Sequence, residues 1–444
     1  MSPTTQRLQI TAASPDPALL DLPWHIPLED WPAETLAALP RGISRHIVRF
    51  AKMSGRVIAV KEIGETVAYR EYELLRQLRR LDVPSVEPVG VITGRSDPDG
   101  ERLEAVLITK HLSFSLPYRT LFAQERHVAL WVPLLDALAE LLVRIHIVGF
   151  FWGDCSLSNT LFRRDAGALS AFVIDMETGA HYPALSDGQR RLDLDIATEN
   201  VAGGLLDLQM GGRLAADIDP WEVSAQIERR YESLWTELTA PAEFASDETF
   251  RIQQRLERLH ELGFDVEEME IVGSPDGDRL RYIPRVVEHG FHSDRLKSLT
   301  GLETTENQAR RLLADIRAFS RELQHRHAAA SARTGVPLRP LPENVLAVRW
   351  LDQRFEPLIA RVPASLHTKL EAAEIYHQLL EHRWFLSESA NAEVPLEEAL
   401  DSYIIDVLAS APDEMLYFGE PTSELPVIAD ASARPNPWPP PESP

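Results

Sequence analysis

Three side chains carry the chemistry most plainly. Asp154 stands five residues before Asn159 in Trp-Gly-Asp154-Cys-Ser-Leu-Ser-Asn159, and Asp175 follows sixteen residues later, at the end of the run Ala171-Phe-Val-Ile. A carboxylate within hydrogen-bond reach of a hydroxyl can take its proton. An amide oxygen and a second carboxylate are hard ligands suited to Mg²⁺, with phosphate and water filling the rest of the shell. The spacing fits a phosphoryl-transfer loop, with Asp154 as base and Asn159 and Asp175 holding the metal against nucleotide phosphates. The competing reading is an Asx-rich turn followed by an unrelated strand-end aspartate.

Such a loop needs elements to hold it. Upstream, residues 128–148 place Leu130, Leu134, Leu135, Leu138, Leu141, Leu142 and Ile145 in one long apolar helix, which belongs in the interior of a large lobe. It delivers His146 just ahead of the loop, where a packing or hydrogen-bonding role is expected. Further upstream, two alternating runs meet at Met53-Ser-Gly55 and read as a hairpin whose second strand ends on Lys61. Thr66 is placed to cap a helix with Leu74, Leu75, Leu78 and Leu81 on one face. That helix offers Glu71 as the partner of Lys61, with Glu73 as the competitor, about 200° away around the axis. Strands near 87–93 and 103–110 follow, about a Ser-Asp-Pro-Asp-Gly turn. A helix after Ser186-Asp-Gly-Gln carries Asp193, Asp195, Glu199 and Asn200; Asp193 or Asp195 is the candidate for a buried aspartate tying the loop in place. Cys155, directly after Asp154, is expected to be a small packed residue.

These residues resemble the protein-kinase-like superfamily over residues ~40–210, especially small bacterial kinases of the lipopolysaccharide (Kdo/WaaP) type and their aminoglycoside-phosphotransferase-like relatives. The resemblance implies ATP and Mg²⁺ as cofactors. Lys61 would lie on the α- and β-phosphates, Glu71 would orient it, Asp154 would be catalytic, and Asn159 and Asp175 would be metal ligands. The sequence departs from the eukaryotic pattern in four places. There is no G-x-G-x-x-G, so the phosphate loop falls to Arg41–His46 or to Ala51–Gly55. Asp154 lacks a preceding Arg, Asp175 is followed by Met-Glu, and no Ala-Pro-Glu follows. These point to a small-molecule, sugar or atypical kinase acting on an unknown hydroxyl acceptor, or alternatively to a weakly nucleotide-binding pseudokinase.

Residues 215–410 resemble the actinobacterial domain of unknown function 4032, through Leu302-Glu-x-x-Glu306-Asn-Gln-Ala309-Arg-x-Leu-Leu. That likeness implies no activity. The arginine-rich helix over 304–327 reads as a solvated face.

The expected fold class is α+β. An N-terminal lead-in (1–40), either extended or a short cover segment anchored by Trp24 and Trp31, precedes a bilobal kinase-like domain with a β-rich small lobe (41–110) and a helical large lobe (111–212). A mostly helical α+β domain (213–415) and a disordered tail (416–444) follow. Composition agrees with a soluble multidomain protein of 444 residues, 44% hydrophobic and 25% charged. The net charge of −23 splits into −6 over 1–210 and −17 over 211–444. This disfavours nucleic acid or a membrane surface as the main partner. No run reaches the ~20 apolar residues of a membrane span, and the first 30 residues lack a signal-peptide pattern. One cysteine excludes an intramolecular disulfide framework and fits the cytoplasm.

Overall fold

The computed structural model describes residues 7–37, 46–124, 131–245, 250–273, 279–334 and 341–415. The chain divides into two compact units. The first holds residues 1–163, 171–232 and 416–444, and the second holds 164–170 and 233–415.

The first unit begins with a five-stranded antiparallel sheet: β1 (Gln9–Ala12), β2 (Ile47–Met53), β3 (Arg56–Ile63), β4 (Pro88–Thr93) and β5 (Ala105–Lys110), in the order β1-β4-β5-β3-β2. Ser54 and Gly55, both at positive φ (49° and 74°), close the β2–β3 hairpin in two residues. Strand alternation puts Ile58 and Val60 on one face and Lys61 on the other. The first face is covered by Leu19, Leu22, Trp24, Leu28 and Trp31, all buried against Ile58, Val60, Ile92, Val106 and Ile108.

Residues 7–37 are therefore a cover segment rather than an extended lead-in: their strand pairs with β4, and Trp24 and Trp31 are core. α1 (Glu65–Arg80) follows β3, and Ala68, Glu71, Leu75 and Leu78 lie on its buried stripe. Thr66 does not cap it; Gly64 is the N-cap, with no side-chain bond.

The rest of this unit is mostly helical. After β5 come β6 (Ser115–Pro117) and α2 (Tyr118–Gln124), with 125–130 outside the described residues. α3 (Trp131–Ile147) buries Leu134, Leu135, Leu138, Leu141, Leu142 and Ile145 as its pattern demands. β7 (Phe150–Phe151) then leads into the Asp154 loop. β8 (Thr160–Asp165) and β9 (Ala168–Val173) form a sheet with β6, in the order β6-β8-β9, and β10 (Ala180–His181) pairs with β7. α4 (Asp187–Met210) starts with a capping box between Ser186 and Gln189. α5 (Pro220–Ser224) follows, and α6 (Gln226–Thr239) contains the division between the units, at 232/233.

The second unit has a three-stranded sheet of β11 (Ala242–Ala245), β12 (Phe264–Gly273) and β13 (Arg279–His289), with α7 (Phe250–Glu261) between its first two strands. Then come α8 (Phe291–Thr300), α9 (Glu306–Thr334), α10 (Glu343–Trp350), α11 (Glu356–Arg361), α12 (Ala372–Ala390) and α13 (Leu396–Asp406). Its core gathers Leu312, Ile316, Phe319, Trp350, Tyr376, Leu379, Leu400 and Tyr403. Helix α9 runs on to Thr334, and residues 335–340 lie outside the described residues. A short 3₁₀ turn (Ala364–Leu366) precedes α12.

Residues 164–170, the turn of the β8–β9 hairpin, belong to this second unit. The Asp165 carboxylate accepts from Thr305 Oγ1 (2.6 Å), the Gln308 N–H (2.8 Å), Asn307 Nδ2 (3.2 Å) and Ser170 Oγ (2.9 Å). Arg164 pairs with Glu414 at 2.9 Å, and the Ala166 N–H donates to Glu374. Glu306 accepts the first backbone N–H groups of α8, from His292 (2.8 Å) and Ser293 (3.0 Å), and the His292 ring at 2.7 Å. The Glu306-Asn-Gln run thus secures one helix start with its first residue and residues 164–165 with the next two. Among the described residues, no helix is long and apolar enough to cross a membrane.

Candidate active site

Lys61 is where the small lobe meets the Asp175 segment. Its Nζ lies 3.0 Å from Glu71, 2.9 Å from Asp175 and 3.5 Å from Glu177. Strand β3 sets the lysine on the α1 face of the sheet, and α1 presents Glu71 from its buried stripe. Glu73 instead pairs with Arg76 at the surface, so Glu71 is the partner. Burial opposes the charge on Lys61, but the Glu71 and Asp175 carboxylates outweigh it and hold its pKa above the ordinary lysine value. Burial, reinforced by the negative charge of Asp175, pushes Glu71 up to about 7 against the pull of Lys61.

The Asp154 loop and the Asp175 segment are stitched together by backbone and side chains. The Ile174 N–H donates to the Asn159 carbonyl (3.2 Å), which sets Asn159 beside the residue preceding Asp175. Trp152 Nε1 donates to the Asp175 carbonyl (2.9 Å), and Thr178 Oγ1 donates to the Trp152 carbonyl (2.9 Å). Asn159 Nδ2 reaches Asp154 Oδ2 (2.9 Å) and its carbonyl (3.0 Å). Met176, after Asp175, is fully buried, and its N–H donates to Glu71 (3.3 Å).

Helix α4 anchors this loop. Of the two aspartate candidates, Asp193 is buried and Asp195 is exposed. Asp193 accepts the backbone N–H of Trp152 (2.7 Å) and Gly153 (2.8 Å), together with His146 Nε2 (3.0 Å). The other ring nitrogen of His146 meets the Tyr231 hydroxyl at 2.8 Å. Gly153 has φ 76°, and a Cβ there would sit 2.9 Å from the Phe151 ring, so the sharp entry into the loop requires glycine. Cys155 is buried, and burial pushes its thiol well up, with Asp193 and Asp154 adding to the effect. It is a packed residue rather than a redox thiol.

Two neighbours had no assigned role in the sequence reading. Asn200, also on α4, donates to Asp154 Oδ1 (3.0 Å) and to the Cys155 carbonyl (3.2 Å). Glu177 takes His46 Nε2 at 2.9 Å. Of the candidate phosphate loop Arg41–His46, residues 41–45 lie outside the described residues; the other candidate, Ala51–Gly55, is the end of β2 and the tight Ser54–Gly55 hairpin turn.

The donor set fits Mg²⁺. Asn159, with its amide nitrogen committed to Asp154, keeps its oxygen for a ligand role, and Asp175 adds a carboxylate. Asp175 and Glu177 together outnumber the single Lys61 ammonium, an imbalance that a divalent cation would relieve. Among the described residues, no three His, Cys, Asp or Glu side chains form a metal cage. One amide and one carboxylate would leave most of the Mg²⁺ shell to phosphate and water.

Comparison with known families follows the same division. Residues 48–196 match the lipopolysaccharide kinase (Kdo/WaaP) family, and residues 233–408 match the domain of unknown function DUF4032. The chain carries a kinase-like domain followed by a DUF4032-like domain. A solved structure of WaaP in complex with acyl carrier protein aligns with 52% of this chain and 99% of its own, at 21% identity and a TM-score of 0.32. No curated protein matches. Within the kinase-like domain lie Lys61, Glu71, Asp154, Asn159 and Asp175, together with the Asp193 anchor.

Proposed function

We propose that the kinase-like domain is an ATP-dependent phosphotransferase that moves the γ-phosphoryl group to a hydroxyl of a small-molecule, sugar or protein acceptor. The observation that carries this reading is Lys61 held between Glu71 and Asp175, on a segment bonded through Ile174 to Asn159. Lys61 neutralises the α- and β-phosphates, and Glu71 fixes its direction. Asp154 accepts the proton of the acceptor hydroxyl. Asn159 and Asp175 would hold Mg²⁺, which when bound supplies charge neutralisation at the phosphates.

Incubation with labelled ATP, Mg²⁺ and cell extract tests the reading. Label should enter an acceptor with the wild type and not with Asp154→Ala; equal incorporation removes the proposal. A second reading, a nucleotide-binding pseudokinase, draws on the two-residue Ser54–Gly55 turn, which offers no glycine-rich flap over the phosphates. It predicts thermal stabilisation by ATP without Asp154-dependent turnover.

A further inference from the structure

α4 meets the Asp154 loop at two positions seven residues apart. Two helical turns advance about 720°, against 700° for seven residues, so Asp193 and Asn200 share one face. Their chemistry is complementary. Asp193 accepts from the N–H groups at the loop entrance, at Trp152 and Gly153. Asn200 donates to the Cys155 carbonyl and to Asp154 Oδ1. Small residues between and beyond them keep the helix close. Ala197 is fully buried, and a Cβ at Gly204 would lie 3.4 Å from Leu157 Cδ1.

The two oxygens of Asp154 are thus held by two different amides, Oδ1 by Asn200 and Oδ2 by Asn159. A carboxylate otherwise rotates about χ2 with a broad, roughly two-fold preference. Two donors on fixed elements remove that freedom. The Asn159 bond alone fixes one oxygen; the second bond sets the plane of the group and therefore the direction of the lone pairs left for an acceptor hydroxyl.

We infer that Asn200 is a positioning residue for phosphoryl transfer, holding the Asp154 carboxylate in the plane from which it takes the acceptor proton. This rests on the phosphotransferase reading above. Asn200 touches neither nucleotide nor metal ligand in this role; it acts through Asp154. Its loss should lower kcat and leave ATP binding alone.

The test uses full-length protein with ATP and Mg²⁺, reading steady-state turnover with water as acceptor, KM for ATP, and thermal unfolding. Asn200→Ala removes the donor. Asn200→Asp keeps the shape but sets an acceptor against an acceptor. Both should lower kcat by about 10- to 100-fold with KM changed less than about twofold. A space-filling role would instead spare Asn200→Asp. Asn200→Ala should also cause no further loss in an Asp154→Ala background, because its effect passes through that carboxylate. Wild-type kcat in Asn200→Asp, or the same fold-loss from Asn200→Ala with and without Asp154, overturns the inference while leaving the kinase reading intact. Turnover equal in wild type and Asp154→Ala removes the kinase reading, and the inference with it.

Discussion

The Lys61 ammonium lies 3.0 Å from a Glu71 carboxylate that is only 1% exposed, and Asp175 competes for the same cation at 2.9 Å. Burial and that competition raise Glu71 from its ordinary 4.5 to about 7. The folded protein therefore keeps a proton there that the unfolded chain releases between those values. Glu71→Gln should match the wild type below about pH 4.5 and gain on it as pH rises to about 7, reaching an advantage on the order of 2–3 kcal/mol. Lys61, raised above 10.5, contributes fully throughout that window and is lost only in strong alkali. Denaturant unfolding of both proteins at pH 4.5 and pH 8 checks this; a constant difference between them would refute it.

Asp193 should be costly to remove. Asp193→Ala strips the acceptor from two backbone N–H groups and from His146, all in the interior. A loss of about 3–5 kcal/mol is expected, as for breaking a buried charged network. Asp193→Asn, which retains one acceptor oxygen, should lose less. Thermal unfolding ranks the three proteins.

Trp24 tests whether the first described segment is integral to the small lobe. It is 3% exposed, its Nε1 donates to the Leu19 carbonyl, and it packs edge-on against Trp31. Trp24→Ala should destabilise by about 3–5 kcal/mol. A change of less than about 1 kcal/mol, the range of ordinary surface substitutions, would contradict its core position.

In the DUF4032-like domain, Glu306 is the acid-sensitive group. Burial opposes its charge, but the His292 ring, the charge of His289 and the N–H groups of His292 and Ser293 lower it from 4.5 to about 2. The stability this contributes is present above pH 4.5 and is lost as pH falls towards 2. Glu306→Gln should cost on the order of 2–3 kcal/mol at pH 7 and almost nothing near pH 2. Parallel acid-unfolding curves for the two proteins would exclude that role.

Much of the site was legible because its spacings are local. Lys61 lies on an alternating strand, which runs on to Ile63 rather than ending at the lysine, Asp154 and Asn159 share one loop, and Asp175 ends the run that follows. The choice of Glu71 over Glu73 follows from helix phase, since Ala68, Glu71, Leu75 and Leu78 fall on one buried stripe. Asn200 was not legible, because its partner Asp154 is 46 residues away and an asparagine on a polar helix face has no distinguishing pattern. Residues 7–37 were only partly legible for a related reason. Proline breaks their periodicity, and the four-residue strand Gln9–Ala12 is recognisable only through its pairing with β4. Helix α8 escaped because it is ten residues long and begins after a left-handed Gly290 rather than a side-chain cap.

The turn at residues 164–170 bears on how this protein could be inherited. Strands β8 and β9 run from the residue after Asn159 to within two residues of Asp175, yet Asp165 at the end of β8 draws three of its four donors from residues 305–308. A gene fragment ending near residue 232 would encode all five kinase-site side chains and a hairpin whose buried carboxylate keeps only Ser170. Replacing the downstream half with an unrelated sequence would strand the same group. The two regions are thus poor modules for shuffling, and a chain of this kind is expected to be passed on whole.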